Sequence, residues 1–389
     1  MTEKNLNQTF YSLSNQFIPD PTIPKIVENP GVSFVSYGVD NLYPQSTIIP
    51  LYQSSAMNRS CISSKWNAMV GEGLKTEDPN AEGQLEFANP MESWGDIYSR
   101  AALDFEIFGG FALNIIWNKT GDKINSIYNL AFEDIRSGHI DHETDKVEYY
   151  YYSADWKRYK KAQFKPKAFK AFDPAAADIH PNQILYCFKP EPGNKYYGLP
   201  DYAGSLTDIN LDVLISTFHW SNLQNGLFPG LLISLNNGIP DPQSRQEIYE
   251  GIASAFSGTQ NAGKFFLNFA NSKENSMEVT PIESANDAYY TVLDERISSR
   301  ILTGHKITSP LLLGIKDSGA GFSSTADEIT VAYTHFTSTV IQPDQKFMLK
   351  ILDKIFYYAG GTSKLYVEPK RIFNEEGQKI GDSKIDATN

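Results

Sequence analysis

Only two cysteines, Cys61 and Cys187, occur in 389 residues, so a disulfide framework and a cysteine zinc site are both excluded. Their flanks, Arg-Ser-Cys-Ile and Leu-Tyr-Cys-Phe, read as ordinary core packing in a cytosolic or redox-indifferent setting. No apolar run approaches the roughly eighteen residues that a membrane span needs. The opening MTEKNLNQTF has neither the apolar core nor the cleavage site of a signal peptide, so secretion and membrane insertion are not expected. Histidine is scarce, and no HExxH pair, GxSxG elbow or cysteine-histidine spacing is present, which leaves zinc and nucleophilic hydrolase chemistry without support. Positive charge is in deficit, 34 Lys plus Arg against 46 Asp plus Glu for a net charge of −12. A histone-like or repressor-like surface is thereby disfavoured.

What the chain does have is large apolar side chains. Hydrophobic residues make up 41% and aromatics 13%, too rich for disorder. The length leaves room for two or three packed units.

Residues 1–50 are polar and punctuated by Pro19, Pro21, Pro24 and Pro30, which predicts an extended arm. Leu51 to Val70 carries Leu51, Ser55, Met57, Ile62, Trp66 and Met69 near one helical face, with Gly71 and Gly73 as the stop. A second helix over Met91–Phe108 has Ser93 as N-cap and closes at Gly109-Gly110. The alternation from Phe111 to Trp117, the turn Thr120-Gly121-Asp122 and the run from Ile124 to Leu130 predict a hairpin. A helix is expected from Asp201 to Gly226, its only charges Asp201, Asp208 and Asp212. Strand, helix, strand, strand follow between Leu227 and Glu283. A helix from about Asn286 to Lys306 comes next, then a Gly- and Ser-rich loop, and a long helix from Thr325 to Ala359 interrupted at Pro343, where the missing donor predicts a kink. The final twenty or so residues are mixed-charge and expected to be mobile. The fold class is α+β.

Three segments suggest chemistry. Gly258-Thr-Gln-Asn-Ala-Gly263-Lys264 matches the phosphate-loop pattern except at Phe265, where the magnesium-binding hydroxyl belongs, and it leads from helix into strand rather than the reverse. It reads as a connector, with a nucleotide-binding enzyme as the alternative. Lys157, Arg158, Lys160, Lys161, Lys165, Lys167 and Lys170 interleave with Trp156, Tyr159, Phe164 and Phe169. That is either a single-strand nucleic-acid platform or a solvated face with snorkelling lysines. His139, Asp141, His142, Glu143 and Asp145 resemble a ligand set but fall at a hairpin tip, so no metal and no cofactor is expected. The pairs Asp294-Glu295 and Asp327-Glu328 point apart on their helices, so no catalytic residue is assigned.

The order of elements, with its local words, resembles the tailed-bacteriophage portal proteins of the lambdoid and siphophage-type group. "YGLPDYAGSLTDI" (197–209) is similar to the family's entry into its first stem helix, "ISSRILTGHKITSPLLLGI" (297–315) to the second stem helix and its Pro-Leu-Leu-Gly turn, and "FTSTVIQPDQKFMLKILDKIF" (336–356) to the long helix with its internal proline. "GVDNLYPQSTIIPLYQSSAMNRSCISSKWNAMVGEGL" (38–74) is similar to the N-terminal region.

The resemblance implies an N-terminal arm at 1–50, a wing at 51–198, stem helices at 199–226 and 286–306, a clip at 227–285, a tunnel loop at 307–324, a long kinked wing or crown helix at 325–359 and a short C-terminal tail at 360–389. It implies a non-enzymatic ring of about twelve subunits at one capsid vertex of a virion, assembled in the host cytoplasm. The implied partners are copies of itself, the terminase large subunit, the major capsid and scaffolding proteins, a head-tail adaptor and double-stranded DNA passing through without sequence specificity. Lys316, Asp317, Ser318, Gly319, Ala320 and Gly321 would form the tip facing DNA. Asp201, Asp208 and Asp212 would line a stem that repels phosphate, since a lysine-lined bore would release counterions and hold the duplex.

Overall fold

The computed structural model describes residues 24–224, 231–235, 243–244, 246–247, 265–269, 277–281, 287–315, 325–370, 372–373 and 379–380. The chain divides into two compact units, Pro19–Leu211 with Ile297–Asn389, and Met1–Ile18 with Asp212–Arg296.

In the larger unit, β1 (Ile26–Val27) pairs antiparallel with β2 (Ser36–Tyr37). The expected extended arm ends earlier than residue 50. A π-helical turn, Pro44–Ile48, runs into α1 (Ile49–Ser54), because Pro50 has no N–H and its ring crowds the preceding turn. Widening that turn lets the Ile49 N–H reach the Pro44 carbonyl instead. The single helix expected over 51–70 is also two. Ser55 turns extended, with ψ 116°, and its side chain accepts from the Asn58 N–H at the start of α2 (Ala56–Val70). A serine that offers the backbone an alternative acceptor breaks one helix by capping the next.

Gly71 ends α2 at φ +58°, where a Cβ would lie 2.2 Å from the Glu368 carbonyl oxygen, and β3 (Gly73–Thr76) follows. Then α3 (Trp94–Phe108) opens with a capping box between Ser93 and Asp96 and closes at left-handed Gly109, as its sequence predicts.

Six strands form the main sheet: β4 (Gly110–Trp117), β5 (Ile124–Leu130), β6 (Ile135–Ser137), β9 (Tyr149–Tyr152), β10 (Lys167–Ala171) and β11 (Asn182–Phe188), with the hairpin β7 (Ile140–Asp141) and β8 (Lys146–Val147) standing apart. Their order is β5-β4-β11-β10-β9-β6, and only β10 and β11 run parallel. On α3, Ile97, Ala101, Ala102 and Phe105 recur at helical spacing, and Phe111, Leu113 and Ile115 alternate along β4. All are buried, and removing each large side chain from water stabilises the unit by about 1.5–3 kcal/mol.

Two helices run through the boundary between the units: α4 (Leu206–Gln224), entered through the 3-10 turn Asp201–Ser205, and α5 (Asp287–Gly304). The smaller unit holds a three-stranded sheet with β12 (Leu231–Leu235) at its centre, parallel to β13 (Phe265–Phe269) and antiparallel to β14 (Met277–Pro281). These are strands at the positions expected between the two helices; most of the short helix expected between β12 and β13, from Gln243, lies outside the described residues.

After α5 come the 3-10 turn Pro310–Leu313, α6 (Thr325–Phe336), a second π-helical turn at Thr337–Ile341 and α7 (Gln342–Tyr358). The expected C-terminal tail is structured where it begins. There β15 (Leu365–Glu368) pairs with β3, Leu365 and Val367 are buried, and β16 (Ile372–Phe373) pairs with β17 (Lys379–Ile380).

Candidate functional site

In the larger unit, the start of the α4 segment, the residues after α5 and the start of α7 meet at one buried charge cluster. Lys65 lies on the α2 face that also carries Cys61, Ile62, Ala68 and Met69, four and three residues to either side, so the helix drives its ammonium into the core. It meets Glu106 of α3 at 2.5 Å, with both side chains closed to solvent, and Asp201 at 3.5 Å. Asp201 also takes Lys189 at 3.1 Å and Lys306 at 3.1 Å, and Lys189 reaches Asp344 at 2.6 Å. Three ammonium groups thus face three carboxylates. Burial alone would lower the Lys65 pKa, but Glu106 and Asp201 outweigh it and hold the ammonium above its usual range. Burial likewise opposes the Asp201 charge, yet Lys65, Lys189 and Lys306 together hold that carboxyl well below the usual carboxylate range.

The helix ends around the cluster are fitted closely. Gln345 Nε2 donates to the carbonyls of Ala68 and Met69, and Tyr98 Oη donates to Met69 as well, so the last turn of α2 finds its acceptors' partners on α3 and α7. Past α5, Lys306 sits at φ +59°. Its N–H reaches the Thr303 carbonyl while the Ile307 N–H reaches Leu302. This is the hydrogen-bond pair of a Schellman cap with lysine at the position glycine favours, and the lysine head is the one that bonds Asp201.

At Gly304, a Cβ would lie 2.1 Å from Ser205 Oγ, and that hydroxyl donates to the Arg300 carbonyl at 3.1 Å. His305 is buried, stacked on Tyr202 at 4.6 Å, with Nε2 2.8 Å from Asn58 Oδ1. Burial and then Lys65 push its imidazole down to about 3, so it is neutral in the folded protein at ordinary pH.

These placements correct the acidic stem face. Asp201 and Asp208 are both largely covered, the first shared among three lysines and the second bonded to Arg300 at 3.2 Å. Their charge is answered within the chain, so neither presents bare negative potential. Asp212 lies on α4, assigned to the smaller unit.

Pro343 is the second residue of α7, immediately after the π-helical turn, where the Gln342 N–H reaches the Thr337 carbonyl. It repeats the arrangement before Pro50. The tip Lys316, Asp317, Ser318, Gly319, Ala320 and Gly321 and the loop Gly258 to Lys264 lie outside the described residues.

Three of the four rings of the basic-aromatic segment, Trp156, Tyr159 and Phe164, are engaged within the chain. Trp156 is buried, packs edge-on to Phe34 at 4.8 Å and holds the Arg136 guanidinium 4.7 Å over its face. Tyr159 meets Phe34, and Arg158 covers Phe164. Stacking on single-strand bases needs free faces, and these are taken. Arg136 itself is wholly buried and donates to Asn41 Oδ1, to the Asn41, Glu133 and Ile135 carbonyls and to Gln45 Oε1. This cation pins the arm to β6.

In the supposed metal cluster, His139 Nε2 donates to the Val32 carbonyl, and among the described residues no group of three metal-type ligands converges. Among the described residues no helix is long and apolar enough to cross a membrane.

Sequence reasoning passed over Lys65, Glu106, Lys189, His305, Lys306 and Asp344. One signal was available. A lysine on the apolar stripe of α2 and a glutamate inside the apolar run Ala-Leu-Asp-Phe-Glu-Ile-Phe require a buried partner, because unpaired burial costs several kcal/mol.

No family model and no curated protein sequence matches the chain. Solved structures do. A chain from the neck of the native gene transfer agent (GTA) particle, computed with C12 symmetry, superposes with a TM-score of 0.54 at 15% identity over 84% of each chain. One from the virion of the native GTA particle gives 0.52 at 13% over 83% of each. An HK97-family phage portal protein from Corynebacterium diphtheriae gives 0.50 at 12%, over 82% of this chain and 94% of that one. This chain has the fold of those proteins, phage portal protein included.

Proposed function

We propose that the chain is the portal subunit of a tailed bacteriophage. It would form a non-enzymatic ring at one vertex of the capsid, the channel for DNA packaging and ejection and the docking site for terminase and a head-tail adaptor. The observation that carries this reading is the superposition over 84% of both chains with a component of a neck computed with C12 symmetry. A match that long in both directions is a likeness of fold rather than of one shared motif.

Charge is consistent with the role in a narrowed sense. Each copy adds −12, which opposes adhesion of a polyanion sliding past. With Asp201 and Asp208 neutralised internally, the repulsion comes from the exposed surface as a whole rather than from an acidic stripe at the base of α4. The segment Lys316 to Gly321, locally neutral and small, remains the proposed tip toward DNA, since a duplex must slide past without being held.

Native mass measurement and negative-stain imaging of the purified chain across a range of concentrations test the reading. Rings of about twelve subunits with a central hole are expected. A monodisperse monomer at the highest concentrations overturns it, because ring formation follows mass action.

A further inference from the structure

The larger unit carries two complementary surfaces toward opposite edges of its main sheet, and we propose that they meet head to tail between neighbouring copies. The inference rests on the ring reading above and names the contact that closes it.

The first surface is a groove of about 470 Å³ beside the edge strand β5, walled by Phe87, Trp94, Ile124, Phe356 and Gly361. Phe87 on its wall is 67% exposed, whereas Trp94, Ile124 and Phe356 are buried beneath it. The segment leading into the groove is acidic, with Glu77, Asp78, Glu82 and Glu86 all exposed. Lys75 offsets Glu82 at 3.0 Å, and Lys123 lines the inner wall. The groove is of mixed polarity, with Gln84, Asn118 and Asn125 lining it beside exposed Phe87, and the chain entering it is acidic, which fits a cationic segment able to hydrogen-bond.

The second surface is the turn that joins β9 to β10. Between Trp156 and Lys170 there are seven cations and no carboxylate, in a chain of net charge −12. Arg158 is held by Asp155 and Lys170 by Glu148. Lys157, Lys160, Lys161, Lys165 and Lys167 are exposed and have no ion pair among the described residues. The turn is anchored from beneath by buried Trp156 and by Ser153 Oγ donating to the Phe164 carbonyl at 2.7 Å, so its lysines are presented on a fixed base.

In the strand order, β5 lies three to four positions from β10 and β9, roughly 15–20 Å across the sheet. The anchored turn cannot fill its own groove. A second copy can, and because each copy offers one of each surface the contact is heterologous and repeats, as a closed ring requires. The occupant is a second copy because it is the one partner certain to carry the matching charge.

The test is a charge exchange read by native mass and sedimentation. Lys160→Glu with Lys161→Glu is expected to raise the concentration for half-assembly at least tenfold, and Glu77→Lys with Glu86→Lys to do the same. Mixing the two variants restores assembly, since each variant's altered surface now matches the other's, and added salt weakens wild type most. Circular dichroism melting of each variant separates misfolding from lost contact, and Lys160→Arg with Lys161→Arg assembles as wild type does. If wild type never assembles, the ring reading fails and this contact with it. If wild type forms rings and the reversals are silent, or the mixture is not restored, the ring reading stands and this contact is overturned.

Discussion

Lys65 and Glu106 bond at 2.5 Å with both side chains almost fully removed from solvent, and neither helix that carries them could place its charged residue there without the other. Removing one partner strands the second. Lys65→Met is expected to lower unfolding free energy by about 3–5 kcal/mol, while Lys65→Met with Glu106→Leu loses much less, because the pair's worth lies mainly in each group's need of the other. Urea titration of the three proteins checks it.

Two groups of the cluster lose their contribution to stability in acid, one after the other. His305 titrates near 3 when folded and near 6.5 when unfolded, so between these values only the unfolded chain binds the proton. The stability contributed by neutral His305 therefore falls as pH drops from about 6.5 toward 3, by at most about 1.4 kcal/mol per unit. Asp201, whose folded pKa is lowered, contributes stability that is present above about 3.9 and lost only below it. Asp104, which burial raises to about 8, acts in the opposite direction over this range, so the test is the difference: on acidification from pH 7 to 5.5 and 4.5 the urea midpoint of wild type should shift further downward relative to that of His305→Gln. Parallel slopes would remove His305 from the account.

Gly304→Ala forces a methyl against Ser205, whose Oγ lies 2.1 Å from the added carbon. A loss of about 1–3 kcal/mol is expected from overpacking. Combining it with Ser205→Gly opens the space, and the double variant should recover part of the loss in thermal melts.

Lysine in the left-handed position is tolerated at 306 while its head bonds Asp201. Lys306→Ala keeps the strained backbone and loses the bond, whereas Lys306→Gly relieves the strain. The glycine variant should be the more stable of the two by about 1 kcal/mol in urea titrations.

Pro343→Ala restores a backbone donor at the start of α7 next to the π-helical turn. Ring yield is expected to change more than monomer stability, because Pro343 is itself exposed and orients the long helix rather than filling the core. Equal ring yield from variant and wild type would contradict this.

Local punctuation made much of the fold legible in the chain itself. Ser93, Gly109 and Gly71 mark helix ends by chemistry that needs no distant partner, and the alternation from Phe111 to Trp117 marks a buried strand. Ser55 misled because it lies within an apolar periodicity that runs past it, and only its capping of Asn58 divides the helix. The arm was misjudged at Pro44 and Pro50, since proline predicts a missing donor but not that a wider turn will absorb it. The charge cluster was hidden for a different reason. Lys65, Glu106, Lys189, Asp201, Lys306 and Asp344 are scattered over most of the chain, and pairing among them is a property of topology. Asp201 looked like surface charge because its three lysines lie 136, 12 and 105 residues away.

The π-helical turn at Thr337–Ile341 has a consequence for how this chain can vary in length. A π turn holds one residue more than an α turn, and one residue is about 100° of rotation about the axis. Deleting a single residue there would let the turn relax to α geometry while leaving α6 at nearly its present azimuth relative to α7, because the wider turn spreads its extra residue over one full revolution. The turn is therefore a place where this helix can lose one residue and keep the faces of both halves in register, whereas a deletion elsewhere along it would rotate one half by about 100°.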